Sequence, residues 1–231
     1  MSDDIEHNKS PKTQTNQQDE ITPLDSAFLS LQEQNAALTT QYQDMERRYN
    51  ALFRLNQLSQ DCDDLNQFYP LVHSSIASLM TANNFFIVLY DQTFSTIEFV
   101  YCVDEFDDWP KGTNDYEKFE GSYTNLVIES KQPLLVTPTI EKQLFEQHKI
   151  KKFGTRGTDW LGVPLFNDGF VIGVMAVQSY SEKIRYTEQD LTLLTFAAQH
   201  VVGAMLRLQD QERLKAAVNA RTKELMQQIR D

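Results

Sequence analysis

Asp159-Trp160-Leu161-Gly162-Val163-Pro164-Leu165-Phe166-Asn167-Asp168-Gly169-Phe170-Val171-Ile172-Gly173-Val174-Met175-Ala176-Val177-Gln178-Ser179 is the stretch that decides the fold. Two apolar runs of strand length, Trp160 to Phe166 and Phe170 to Ser179, flank Asn167-Asp168-Gly169. Asp-Gly between such runs marks a tight hairpin, because the favoured turns need positive φ at their central residues. Two antiparallel strands are predicted here. Gly162 and Gly173 inside them signal a bulge or a close approach by another element. Pro164 has no N–H for a ladder and belongs at an edge or bulge.

Upstream, Phe85 to Tyr90 is a continuous apolar run that suggests a strand covered on both faces. Thr96 to Val103 alternates with β-branched and aromatic residues and supplies an antiparallel partner. An irregular stretch from Asp104 to Gly121 follows, then a short helix over Ser122–Ser130, a strand over Pro133–Thr137 and a helix from Thr139 to about Lys149. Ahead of these strands, Asp61 to Asp64 is an acidic, cap-like break. Leu65, Phe68, Val72, Ile76 and Leu79 then form one face of a helix, in which Pro70 must sit within the first turns or cause a kink. Beyond the hairpin, Thr187 and Asp190 form a capping box. It opens a helix whose apolar face is Leu191, Leu194, Ala198, Val201, Met205 and Leu208. The class is α+β, a central antiparallel sheet with helices on both faces, flanked by long N- and C-terminal coiled-coil helices.

The N-terminal flank carries a heptad repeat. Leu24, Leu31, Leu38, Met45 and Leu52 fall seven apart, as do Phe28, Asn35, Tyr42, Tyr49 and Asn56. Steps of four and three place the first series at d and the second at a. Asn at a costs stability but favours one register, because two buried amides pair only when aligned. A parallel homodimer is expected, with Leu24, Phe28, Leu31, Asn35, Leu38, Tyr42, Met45, Tyr49 and Leu52 at its interface. The alternative is a single amphipathic helix lying on its own domain. Four segments result: a disordered tail over 1–23, a coiled-coil helix over 24–60, a globular domain over 61–207 and a C-terminal signalling helix over 208–231. The tail reads as disordered because Met1, Ile5 and Ile21 are almost its only apolar residues.

Net charge −12 and an isoelectric point near 4.8 argue against nucleic acid as a partner. By inspection, no run approaches the roughly 20 apolar residues that span a bilayer, so membrane insertion is not expected. No signal peptide is evident. Cys62 and Cys102 have neither metal-ligand nor disulfide-framework spacing. A reduced cytoplasm is the expected compartment.

The hairpin segment, Arg185-Tyr186-Thr187-Glu188 with Asp190-Leu191, Asn84-Phe85-Phe86, Val103 through Asp107, and Gly121 through Leu135 with Pro133-Leu134-Leu135 together resemble bacterial GAF domains. The resemblance runs from about residue 55 to 207. It implies a regulatory module that controls a downstream output, with cyclic-di-GMP synthesis or breakdown (a GGDEF or EAL domain) first and a histidine kinase second. A rival is a purely structural dimerisation unit that binds no ligand. Catalysis is not expected of these residues: no nucleophile–base–orienter set, phosphate loop or metal motif appears.

Tyr101, Tyr123, Trp160 and Gln178 are the candidate pocket-lining residues, since ligand pockets combine apolar walls with a few aimed polar groups. Core packing is the alternative for each aromatic. Asp104, Glu105, Asp107 and Asp108 read as a solvated loop, with a divalent-cation site the weaker reading. Lys149, Lys151, Lys152 and Arg156 form a basic stretch. In a GAF domain it would lie near the pocket mouth, where it would attract an anion. The scattered Asn-Lys-Phe-Asp-Glu signature of cyclic-nucleotide-binding relatives is not found in order. The cofactor is unknown, and neither haem nor bilin is expected, because His7, His73, His148 and His200 are isolated and neither cysteine adjoins a histidine. After Leu208 the helix becomes charged, with a weak seam of Leu208, Val218, Leu225 and Ile229. Ala220 through Leu225 resembles the linker helix that leads from a GAF domain to its effector.

Overall fold

A computed structural model describes residues 23–62, 64–108, 112–151 and 154–230. The tail expected to be disordered therefore lies outside the described residues, except for Pro23. The chain divides into two units, Met1–Asp44 and Met45–Asp231. Helix α1 spans Pro23–Asp61. In the first unit its Phe28, Leu31, Leu38 and Tyr42 are exposed. In the second unit Met45, Tyr49 and Phe53 are exposed, and the Tyr49 and Phe53 rings stack at 6.3 Å. The side chains of Leu24 and Leu52 lie outside the described residues.

The rest of the second unit follows the sequence pattern closely. Asp64 caps α2 (Leu65–Ala77) by accepting from Gln67 N at 2.9 Å, so the acidic break is a helix start. Pro70 falls in the second turn of α2. Strands β1 (Asn84–Asp91) and β2 (Thr96–Val103) pair antiparallel. Within the stretch read as irregular lie β3 (Thr113–Asp115) and a 3-10 turn over Tyr116–Phe119. A three-residue strand with no apolar alternation leaves no periodic signal to read. Next come α3 (Tyr123–Ser130), β4 (Leu134–Val136) and α4 (Pro138–Glu146), then the hairpin of β5 (Asp159–Asn167) and β6 (Phe170–Ser179). Asp168 and Gly169 both have positive φ, +48° and +81°, as the Asp-Gly pair demands.

The sheet order is β3-β2-β1-β6-β5-β4, with every pairing antiparallel. β4 pairs only with Trp160–Gly162, so Pro164 lies where β5 has become an edge.

Alternation along the central strands creates two cores. Phe85, Ile87, Leu161, Val163, Met175 and Val177 point to one face and pack with α2 and α5 (Glu188–Arg230). Phe86, Val88, Trp160, Val174 and Ala176 point to the other and meet Phe119, α3 and β4. Thr187 and Asp190 form the expected capping box at the start of α5: Asp190 N donates to Thr187 Oγ1 at 3.3 Å, and Thr187 N to Asp190 at 2.8 Å. The boundary expected at 207/208 falls inside this single helix. Its exposed Leu214, Val218, Leu225 and Met226 follow the buried Met205 and Leu208. By length and composition α5 contains a window apolar enough to cross a bilayer, which corrects the reading from the sequence. That window is half buried, and α5 packs on the sheet, which accounts for its apolar character.

Behind β5, the buried Asp159 carboxylate accepts from Arg185 Nε at 2.9 Å and from Tyr186 N at 2.9 Å, tying the strand to the approach of α5. Asp159→Ala strands the Tyr186 N–H and removes that tie. A loss of about 1–3 kcal/mol in urea unfolding is expected, while an unchanged midpoint would contradict this role.

Candidate functional site

A cavity of about 670 Å³ lies on the face of the sheet away from α5. Its floor is dictated by strand alternation. Phe86 of β1, Phe99 of β2, Trp160 of β5 and Gln178 of β6 all project to this side. The Trp160 ring lies over Gly162, where a Cβ would collide with the indole carbons. The glycine that the sequence flagged for close approach therefore lets the indole lie flat as part of the wall. The first turn of α3 forms one side of the cavity, α4 another and residues 154–158 a third.

Polar groups at the rim are organised in pairs. Tyr123 donates its hydroxyl to Glu141 at 3.0 Å, and Arg156 donates Nε to the other oxygen of Glu141 at 2.8 Å. Burial, and then the Glu141 charge, push the Tyr123 phenol upward. Glu141 also raises the Arg156 guanidinium further above its ordinary value. Lys151 Nζ meets Glu120 at 2.7 Å and holds that carboxyl below its usual range. Lys151 and Arg156 of the basic stretch are thus paired with Glu120 and Glu141, and Lys152 lies outside the described residues.

The acidic run is dispersed rather than convergent. Asp104 accepts from Tyr180 Oη at 2.9 Å and from two backbone amides of its own turn. Glu105 accepts from Asn84 Nδ2 at 3.2 Å. Asp107 accepts from Thr155 N at 2.8 Å and Thr155 Oγ1 at 2.6 Å, latching residues 104–108 to residues 154–158 across the cavity. Among the described residues no group of three or more His, Cys, Asp or Glu could hold a metal ion.

Of the four residues expected to line a pocket, Tyr123, Trp160 and Gln178 border this cavity. Tyr101 does not. Plain alternation from Ile97 and Phe99 would place Tyr101 beside them, but the register between β1 and β2 shifts after Val100. The bulge turns Tyr101 to the α2 face, where its hydroxyl lies 3.0 Å from His73 Nδ1. His73 Nε2 lies 2.6 Å from the Ala82 carbonyl, which can only accept, so Nε2 is the donor of that pair, and in the neutral ring Nδ1 accepts from Tyr101. The sequence reading missed Thr124, Glu141 and the Asp107–Thr155 latch. Each is a common residue type with no motif around it, and only the fold brings it to the cavity.

The sequence profile of the family described as GAF domain matches residues 64–205. The chain belongs to the GAF domain family. No curated protein matches it. Among solved structures, this GAF domain is similar to that of a phosphoenolpyruvate-protein phosphotransferase from Coxiella burnetii, at 14% identity and TM-score 0.57, covering 73% of this chain and 98% of the other. It is also similar to the free methionine-R-sulfoxide reductase of Neisseria meningitidis solved with its substrate, at 13% identity and TM-score 0.55, covering 71% and 91%. A third likeness is to residues 122 to 287 of a methyl-accepting chemotaxis protein, at 15% identity and TM-score 0.51, covering 67% and 96%. At these identities the likeness is one of fold.

Cys102 lies on the cavity side of β2, opposite Phe86 in the ladder. Burial, followed by the charges of Asp104 and Asp107, pushes its thiol up to about 12. The thiolate is the reactive form, so its population at pH 8 falls about a thousandfold relative to an ordinary cysteine. Iodoacetamide at pH 8, followed by peptide mass spectrometry, is expected to leave Cys102 unmodified in the folded protein and to label it rapidly in urea. Fast labelling of the folded chain would contradict this environment.

Proposed function

We propose that this GAF domain is a non-catalytic regulatory module that binds a small molecule in the cavity and relays its occupancy through paired helices to a downstream effector. The cavity carries the reading: about 670 Å³ walled by Phe86, Phe99 and Trp160, with hydrogen-bonding groups at one side. Its size and mixed lining are those of small-molecule sites. A collapsed dimerisation scaffold would have these rings filling the space.

The same strands offer a route out of the cavity. Trp160 faces the cavity, and its neighbour Leu161 packs in the α5 core; Ala176 and Val177 are divided in the same way. A ligand that moves Trp160 therefore acts on a strand that supports α5. The apolar series of α1 and the exposed Leu214, Val218 and Leu225 of α5 suit pairing with a second copy in a parallel coiled coil. Such a marginal seam shifts under a few kcal/mol of differential binding. The output that the family resemblance favours is a diguanylate cyclase, and a histidine kinase comes second. A cytoplasmic location fits this role.

Two measurements test the reading. Mass spectrometry of molecules released from the purified protein is expected to find one ligand at near one per chain; a cavity that stays unliganded across a broad metabolite screen would overturn the sensing role. Light scattering is expected to show a dimer, which Leu31→Asp combined with Leu38→Asp converts to a monomer. If the double variant remains dimeric, the N-terminal coiled coil is not the dimer contact.

A further inference from the structure

Gly154-Thr155-Arg156-Gly157 borders the cavity, and its two middle residues hold two different walls. Thr155 donates its N–H and its hydroxyl to the Asp107 carboxylate at 2.8 and 2.6 Å, which ties the segment to the loop after β2. Arg156 donates Nε to Glu141 of α4 at 2.8 Å, and the same carboxylate accepts from Tyr123 of α3. Consecutive residues thus make this segment a strap between the loop and the helix. Backbone bonds fix the chain on both sides of it: Lys151 N donates to Gly121 O at 2.9 Å, and Thr158 N to Ser179 O at 2.7 Å. Gly154 has φ +64°, a conformation that glycine adopts freely. Gly157 is pressed onto β6, where a Cβ would stand 2.9 Å from Gln178 Nε2 and 3.0 Å from Ser179 O.

The two walls differ in firmness. The loop that carries Asp107 is bound to the sheet, because buried Asn84 exchanges hydrogen bonds with Glu105 at 3.2 and 2.8 Å and Tyr180 donates to Asp104. Helix α4 has no fully buried residue, and its Phe145 is 57% exposed. The ties of the strap itself lie at the surface: Thr155 is exposed, and the Arg156 side chain is 71% exposed. Bonds in such places exchange readily for bonds to water. Trp160 on the cavity floor is nevertheless only 4% exposed. Weak ties therefore close a deep chamber.

We infer that residues 154–157 are the gate of the cavity. A ligand enters and leaves when the strap lets go of Asp107 on one side or Glu141 on the other, pivoting on the anchor at Gly157 and Thr158. Asp107 and Arg156 then govern how fast the chamber fills and empties, without forming its floor. The gate presupposes the proposed ligand-binding role and adds the route by which a ligand reaches its site.

Acrylamide quenching of Trp160 fluorescence tests this on the full chain, with acrylamide itself as the entering probe. The chain has two tryptophans, so Trp109→Phe gives a parent in which Trp160 is the sole emitter. Slopes are measured far below each variant's urea midpoint, so that they read local opening rather than unfolding. Asp107→Ala and Arg156→Ala are each expected to steepen the quenching slope about threefold or more, and the two together further. Asp107→Asn keeps an acceptor for Thr155 and is expected to stay within about twofold of the parent. Added salt is expected to steepen the slopes of the parent and of Asp107→Ala but not that of Arg156→Ala, because an exposed ion pair is screened. A parent slope equal to that of the urea-unfolded chain, or a slope that neither alanine variant changes, would overturn the gate and leave the cavity reading standing. The cavity reading fails separately, when no molecule is found to bind.

Discussion

Successive side chains of a strand point to opposite faces, and the central strands of this sheet bury both. Everything else follows from that constraint. β1, β5 and β6 must be apolar at nearly every position, which is why Phe85 to Leu89 and Trp160 to Leu165 read as continuous runs. The odd-numbered members are covered closely by α2 and α5. Short elements, α3, α4 and the 3-10 turn, cover the even-numbered members less completely, and the incomplete cover is the cavity. One face is a core and the other a chamber.

The arrangement also fixes the chemistry. Charged groups at the chamber have local partners: Glu141 pairs with Arg156, Glu120 pairs with Lys151, and Asp107 accepts from Thr155. Because Trp160 and Leu161 are consecutive residues on opposite faces, the chamber and the α5 core cannot repack independently. A domain built this way is suited to convert occupancy into helix movement, and α5 runs without a break from that core to Arg230.

Much of this was legible in the sequence. The Asp168-Gly169 turn, both hairpin strands, the Thr187–Asp190 cap and the break at Asp64 depend on residues that dictate local geometry by themselves. Trp160, Tyr123 and Gln178 were singled out because they offer apolar walls with polar groups, and all three border the cavity. Tyr101 packs in the α2 core, the alternative held open for each aromatic, because one bulged residue, Val100, inverts parity for the rest of β2, and nothing in Phe99-Val100-Tyr101-Cys102 announces it. Glu141 was invisible for a different reason. Its place depends on the partners it finds after folding, Tyr123 and Arg156, and that information is tertiary.

The central claim is that a sheet closed on both faces is the most stable part of the second unit, while the loops that rim the chamber open separately. Amide hydrogen exchange followed by mass spectrometry tests this directly. Peptides covering β1, β5 and β6 are expected to exchange slowest, at the rate of global unfolding, and those covering 104–108 and 154–158 to exchange orders of magnitude faster. Exchange in β5 and β6 as fast as in those loops would contradict the account.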